Sequence, residues 1–348
     1  MNRAAGRITR TSSLKWACPF LLLFAGFPAS FGIGRQESAR SIRERDGNLL
    51  KTSAKKVQDP LSFEGQRLLS QIVEAGESGD WMKVNRLYLA YSGSETSTFN
   101  AVMHIAIRCG QFKQGASVYQ RLCNLNVTKS SPTFSAALRI FAELGQTSVV
   151  REVWREATDM LELDEVMAAS RIHAAAMEGD IQTAAEVLDS MNKSGVEINI
   201  AHITSAIRAC WQAEGQSWRA AQYLFNVSRD LGLEAEAPMF TCLVGAYATA
   251  PLEVVLDVYQ MMKDNGIQPD KMFSELFLAS VLAFSKEETY GLRTVSQLAQ
   301  HLSNKPEARL QAARSALAEF GNTGVETTAL SQKLDTGLKQ LLEKPRPG

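Results

Sequence analysis

The sequence lacks most of the patterns that mark an enzyme. Four histidines, His104, His173, His202 and His301, are scattered over 348 residues. None stands in an HExxH or HxE…CxxC arrangement, the spacings that zinc hydrolysis and zinc deamination require. No GxSxG elbow is present to hold a nucleophilic serine. The five cysteines, Cys18, Cys109, Cys123, Cys210 and Cys242, form no CxxC pair, so they read as buried thiols. Gly32-x-Gly34 has neither the third glycine nor the preceding strand of a dinucleotide-binding loop. No catalytic residue, no metal ligand and no cofactor is therefore expected.

Net charge is missing too. Lys+Arg and Asp+Glu both number 37, and that balance offers no attraction to nucleic acid or membrane. The balance is uneven along the chain. Residues 1–60 hold 11 basic and 4 acidic residues, a surplus of 7, which leaves 26 against 33 in residues 61–348, a deficit of 7. A basic leader precedes an acidic body.

The leader opens with Arg3, Arg7, Arg10 and Lys15 and no acid. An apolar run from Trp16 to Phe27 follows and ends in Pro28-Ala29-Ser30. These are the parts of a signal segment. The run falls short of the roughly 20 apolar residues of a membrane span, although a single anchor is the alternative reading. Residues 31–56 are basic, serine-containing and poor in acids, as in an organelle transit peptide. The Ala29-Ser30-Phe31 junction resembles that of bipartite leaders addressed to complex plastids. A plastid address is thus expected, with a mitochondrial presequence second and a secretory or anchored route as a further alternative. The expected organisation is a leader at 1–60, a repeat array at 61–305, and capping helices with a tail at 306–348, with no membrane association of the mature form.

Strand signals are scarce beyond residue 60. Few runs alternate with period two, and hairpin dipeptides are missing where strands would need them. Apolar residues recur instead at three- and four-residue spacing, as in Val102, Ile105, Ala106 and Cys109. The body is expected to be all-α. Five segments, 96–130, 131–164, 165–199, 200–236 and 237–270, repeat one plan with a length of 34–37 residues. Each begins with a polar stretch. An anchor follows at the fourth place: Phe99, Phe134, Ala168, Ile203, Phe240. A first helix runs to a turn marked by Gly110, Gly145, Gly179 or Gly215, where glycine tolerates positive φ. A second helix carries Gly115-Ala116, Ala184-Ala185 or Ala220-Ala221, which permit close approach. Tyr119, Trp154, Leu188, Phe225 and Tyr259 then pack the hairpin. One hairpin cannot bury both apolar faces, but stacked hairpins can, so the fold class is an α-solenoid of helix-turn-helix repeats. Residues 61–95 fit a degenerate leading hairpin, and 271–303 a degenerate trailing one.

The segment Met261-Met262-Lys263-Asp264-Asn265-Gly266-Ile267-Gln268-Pro269-Asp270, echoed at 190–199 and opened by Ser97-Thr98-Phe99-Asn100, resembles the pentatricopeptide repeat family. Tetratricopeptide repeats are of similar length, but their Trp/Leu/Gly first-helix pattern is absent. The resemblance covers 96–270 well and 61–305 loosely. It implies a module that binds short single-stranded RNA, about one base per repeat. Such repeats place base-reading residues at the fifth and last positions. Carried over, Thr241 with Asp270 and Ser135 with Asp164 look purine-reading, and Asn100 with Ser130 pyrimidine-preferring. Ala169 with Asn199 departs from the pattern, since alanine offers no hydrogen bond. Thr204 with Glu236 is unusual and lies in a repeat with an insertion. Helix N-capping is the competing use for such residues. Candidate phosphate contacts are Arg108, Lys113, Arg139, Arg171 and Arg208, of which the arginines fall at repeat positions 13, 9, 7 and 9.

Some similar proteins carry an appended nuclease, but residues 271–348 contain only Asp335 in place of its aspartate cluster. The expected role is catalysis-free action on RNA processing, stability or translation. The alternatives are a protein-binding scaffold or a non-catalytic subunit of an RNA-processing complex, with protein partners in either case.

Overall fold

The computed structural model describes residues 63–284, 295–326 and 328–342; the expected leader lies outside the described residues. These residues form sixteen α-helices and no strand. In chain order they are α1 (Phe63–Glu77), α2 (Trp81–Ala90), α3 (Thr96–Arg108), α4 (Phe112–Asn124), α5 (Ser131–Glu143), α6 (Thr147–Met160), α7 (Glu165–Glu178), α8 (Ile181–Lys193), α9 (Ile200–Gln212), α10 (Trp218–Asp230), α11 (Ala237–Ala246), α12 (Leu252–Asp264), α13 (Lys271–Val281), α14 (Val295–Ser303), α15 (Glu307–Asn322) and α16 (Ala329–Leu342). None of the described helices is long and apolar enough to cross a membrane.

The odd-numbered helices from α1 to α13 pack one on the next in a continuous row. Each even-numbered helix from α2 to α12 packs on the helix before it and the helix after it. This is the expected solenoid: a tight layer of first helices beside a looser layer of second helices. The tight layer follows from residue size. Ala136, Ala137, Ala174, Ala175 and Ala176 are buried on first helices and let neighbouring backbones approach.

The five expected anchors are fully buried. Phe225 of α10 meets the anchor Phe240 of α11 with ring centroids 5.9 Å apart, and Tyr88 of α2 meets Phe99 edge-on at 6.0 Å. Tyr119 of α4 meets Phe141 of α5 edge-on at 5.6 Å. In these hairpins the second helix presents a ring to the first helix of the following one, a geometry favourable beyond simple burial. Two continuous cores result, one from α1 to α7 and one from α7 onward. They meet on α7, which sends Met167 and Ala174 to the first and Ala168 and Ile172 to the second.

Residues 285–294 of the expected trailing hairpin lie outside the described residues. Among the described helices, α14 packs on α16, and α13 packs on α15. Phe320 of α15 lies 5.4 Å from the ring of Tyr259 and 5.9 Å from that of Phe277. Arg309 fixes the pairing: its guanidinium donates to the carbonyls of Val281 at 2.7 Å, Ser280 at 3.1 Å and Ala250 at 3.0 Å. Ser280 and Val281 lie in the last turn of α13, where a cation and a donor are both favourable. Sequence order points instead to 295–303, because Arg309 lies 28 or more residues away from its acceptors.

The turn glycines adopt positive φ as expected, with Gly110 at 67° and Gly179 at 69°. The two positions differ in surroundings. A Cβ on Gly110 would meet nothing within 4 Å, whereas one on Gly179 would lie 2.9 Å from the backbone of Ala213 in the next repeat. Gly110→Ala should therefore cost about 1 kcal/mol, and Gly179→Ala at least about 2 kcal/mol, read from urea midpoints of the two variants.

Candidate nucleic-acid interface

The end residues of the repeats sit where the competing reading places them, at helix N-caps. Asp164 accepts from the Met167 amide at 2.8 Å, and Asp270 from the Phe273 amide at 2.7 Å. Asn199 accepts from the amides of Ala201 and His202, while its own backbone amide donates to His202 Nδ1 at 3.1 Å. That reciprocal capping box explains the burial of His202. Ser130 caps α5 together with Thr133. Glu236 caps α11 by position only, is exposed, and makes no side-chain cap bond.

Capping does not exhaust these groups. Asp164 and Asp270 each use Oδ1 for the cap, so Oδ2 retains acceptor capacity. Asn199 is more committed, because its Nδ2 also donates to Glu165 at 2.7 Å.

The fifth-position side chains lie on successive first helices. Asn100 and Ser135 are buried, and Ala169, Thr204 and Thr241 are half-buried. One expected pair is brought together: Asn100 Nδ2 donates to Ser130 Oγ at 3.2 Å, and Asn100 Oδ1 accepts from Thr133 at 2.8 Å. Ser135 donates to the Pro132 carbonyl at 3.1 Å and Thr241 to the Ala237 carbonyl at 3.1 Å, which leaves each hydroxyl oxygen with acceptor capacity, buried at Ser135 and half-buried at Thr241.

The arginines divide. Arg108, Arg139 and Arg208 are half-exposed on first helices. Lys113 is exposed on a second helix, α4. Arg171 is only 2 % exposed, and the charges acting on it are the half-buried Glu178 and Asp180 and the exposed Glu186 and Arg151 of α6 to α8. Burial lowers the Arg171 guanidinium and raises the Glu178 carboxyl, and each group offsets part of the other's shift.

Aligning the repeats by position shows a set that grouping by residue type missed. Position 9 is His104, Arg139, His173 and Arg208 in four consecutive repeats, and Gly245 in the fifth. Position 13 is Arg108, Glu143, Met177 and Gln212. Positions 5, 9 and 13 share one stripe of each first helix. The stripes adjoin: His173 Nε2 lies 3.6 Å from Glu143 Oε1, and Arg208 lies 3.8 Å from the Met177 sulfur. His173, then burial opposing it, then Arg208 and Arg139 act on Glu143, and the net effect holds its carboxyl below the ordinary value. Burial chiefly, with Arg139 and Arg208 adding, pushes His173 below the ordinary imidazole value of 6.5, against the pull of Glu143. Two arginines, one histidine and one carboxylate thus converge from α5, α7 and α9. Among the described residues no group of three or more His, Cys, Asp or Glu is placed to hold a metal ion.

A pH dependence follows. A histidine lowered in the folded state leaves the unfolded chain binding more protons below pH 6.5, so folding stability is lost as pH falls through that value. The lowered Glu143 extends the loss toward the carboxylate range. Melting temperature should fall between about pH 7.5 and about pH 5. His173→Gln should flatten the first part of that decline, which thermal melts across the pH series measure.

No protein-family model matches this chain, and no curated protein matches it in sequence. Solved structures do match in fold. The pentatricopeptide repeat protein PPR10 in complex with an 18-nucleotide PSAJ RNA element is similar with a TM-score of 0.61 at 14% identity, over 87% of this chain and 41% of that one. PPR10 from maize gives a TM-score of 0.43 at 17% identity over 86% and 45%. PPR10 with an 18-nucleotide psaJ element gives 0.46 at 14% identity over 85% and 45%. The chain spans about two fifths of the length of the first of these. It has a pentatricopeptide-repeat-like fold, an all-α solenoid of stacked helical hairpins.

Proposed function

We propose that this chain is a helical-repeat RNA-binding protein that acts without catalysis, holding a short single-stranded segment along its row of first helices. The observation that carries the reading is the alignment of polar fifth-position side chains on four of the five first helices, all but Ala169, with Asn100 hydrogen-bonded to its own repeat's last residue, Ser130. The likeness in fold to a repeat protein solved with RNA supports it. Bound RNA would be masked from nucleases or kept unpaired, and either outcome alters processing, stability or translation. The basic leader suits an organellar address, with a plastid preferred over a mitochondrion.

The acidic balance of residues 61–348 favours a second reading, a scaffold for protein partners or a non-catalytic subunit of an RNA-processing complex. Phosphate contacts dominate RNA affinity, and they require cations. Crosslinking of the tagged full chain followed by sequencing separates the two. Enriched RNA is expected; stable protein co-purification without enriched RNA would establish the scaffold instead. On an enriched RNA, Thr241→Ala should change preference at one base only, by about fivefold, as expected for loss of a single hydrogen bond worth about 1 kcal/mol. Competition binding with single-base variants reads it.

A further inference from the structure

We propose that RNA phosphodiesters are met at one end of the solenoid only, by Lys83, Arg86, Arg108 and Lys113 of the first two hairpins. This assignment rests on the RNA-binding reading above and adds where along the array the backbone is held. Charge is divided along the chain even within the acidic body. Residues 81–142, which span α2 to nearly all of α5, hold seven basic residues and one acid, Glu95. Residues 143–281, which run from the end of α5 to the end of α13, hold nine basic residues and 21 acids. Each hairpin of the solenoid packs on its neighbours, so a division along the chain is a division in space. Packed helices stand about 8–10 Å apart, close to the Debye length of about 10 Å at about 0.1 M salt. The acids of α7 and beyond are therefore screened from α2 to α4.

The cations of the basic part have different uses. Arg121 donates to the Tyr91 carbonyl and lies over the Tyr88 ring, 5.0 Å from its centroid. Lys129 pairs with Glu156. Both serve the fold. Lys83 and Arg86 on α2 and Lys113 on α4 are exposed, and Arg108 at the end of α3 is half-exposed. None of these four pairs with an acid among the described residues. Lys83, Arg108 and Lys113 flank the turns of the first two hairpins, and those turns touch, with Cys109 Sγ 3.9 Å from the Gly79 carbonyl oxygen. The acids of this edge are Glu77 and Asp80, and Asp80 is engaged in capping α2 through the Lys83 amide. Glu95 accepts from the Tyr91 hydroxyl. Cations without acidic partners are the ones able to displace counter-ions from phosphates, the source of most single-strand affinity. The hydrogen-bonded Asn100–Ser130 pair belongs to the same repeat as Arg108 and Lys113, so a base held there keeps its strand on the basic hairpins. Later repeats end in Asp164, Asn199, Glu236 and Asp270, three of them acids, so phosphates there gain no cation.

The test uses the full chain, a labelled random RNA pool of about 20 nucleotides, long enough to cover every repeat at one base each, and anisotropy over a KCl series. Lys83→Gln with Arg86→Gln and Lys113→Gln removes three exposed cations from the basic end. Affinity should fall by about fivefold for each side chain at about 0.1 M KCl, and the logarithmic salt dependence should become shallower by about 2, near 0.7 for each single-strand phosphate no longer neutralised. Arg155→Gln with Lys193→Gln and Arg229→Gln removes three exposed cations from α6, α8 and α10 and makes the same change in net charge. That control should leave both affinity and slope unchanged. Arg108→Gln alone should weaken binding by about fivefold under the same conditions. Thermal melts of each variant show that it folds. Equal weakening by the two triple variants, or an unchanged salt slope in the first, would overturn one-ended phosphate binding while leaving RNA binding intact. Failure of the unsubstituted chain to bind the pool would remove the functional reading and this assignment together.

Discussion

Burial of a first-helix anchor against the second helix that precedes it is the interaction on which the whole array depends. Phe240 beneath Phe225 and Phe99 beneath Tyr88 show the unit in its aromatic form. Ala168 and Ile203 fill the same place with smaller groups and are equally inaccessible. A lone hairpin would leave such a side chain in water, at a cost of about 2 kcal/mol for each large group. Stability is therefore a property of neighbours, and each hairpin is folded to the extent that the next one covers it.

This constraint also sets how closely each helix layer packs. Buried alanines concentrate on the first helices, so the first-helix layer packs more closely. The stripe at positions 5, 9 and 13 lies beside the stacking surface, and its arginines reach out to water from there. The alanine-rich α7 lies at the centre, supplies both cores, and carries Arg171 and Glu178, which act on each other electrostatically. Burial of such charges is costly, and the opposite charge offsets part of that cost.

The electrostatic picture is local. The deficit of 7 in residues 61–348 is an average over all faces, whereas the first-helix row brings Arg139, His173, Arg208 and Glu143 near one another. Those groups set one another's protonation. Burial and two guanidiniums keep His173 neutral near pH 7, and the same guanidiniums help keep Glu143 ionised. Net charge is therefore a poor guide to what this face would bind.

Much of this was legible in the residues, and for a definite reason. Helical periodicity, the 34–37-residue repeat, the anchors and the turn glycines are local or nearest-neighbour features, so the chain carries them in plain order. The end-of-repeat residues were legible in type but ambiguous in use, since Asp164 and Asp270 cap helices through one oxygen and keep the other. The position-9 row could have been found by aligning repeats by position, and it was obscured by grouping the arginines alone. What only the tertiary structure decided were the long-range choices. It paired α13 with α15 through Arg309, withdrew Arg171 from the surface, and set Glu143 beside His173. Each depends on groups separated by many residues or on which face of a helix is covered. Sequence by itself determined the repeat; packing decided which of its charges stay in reach of water.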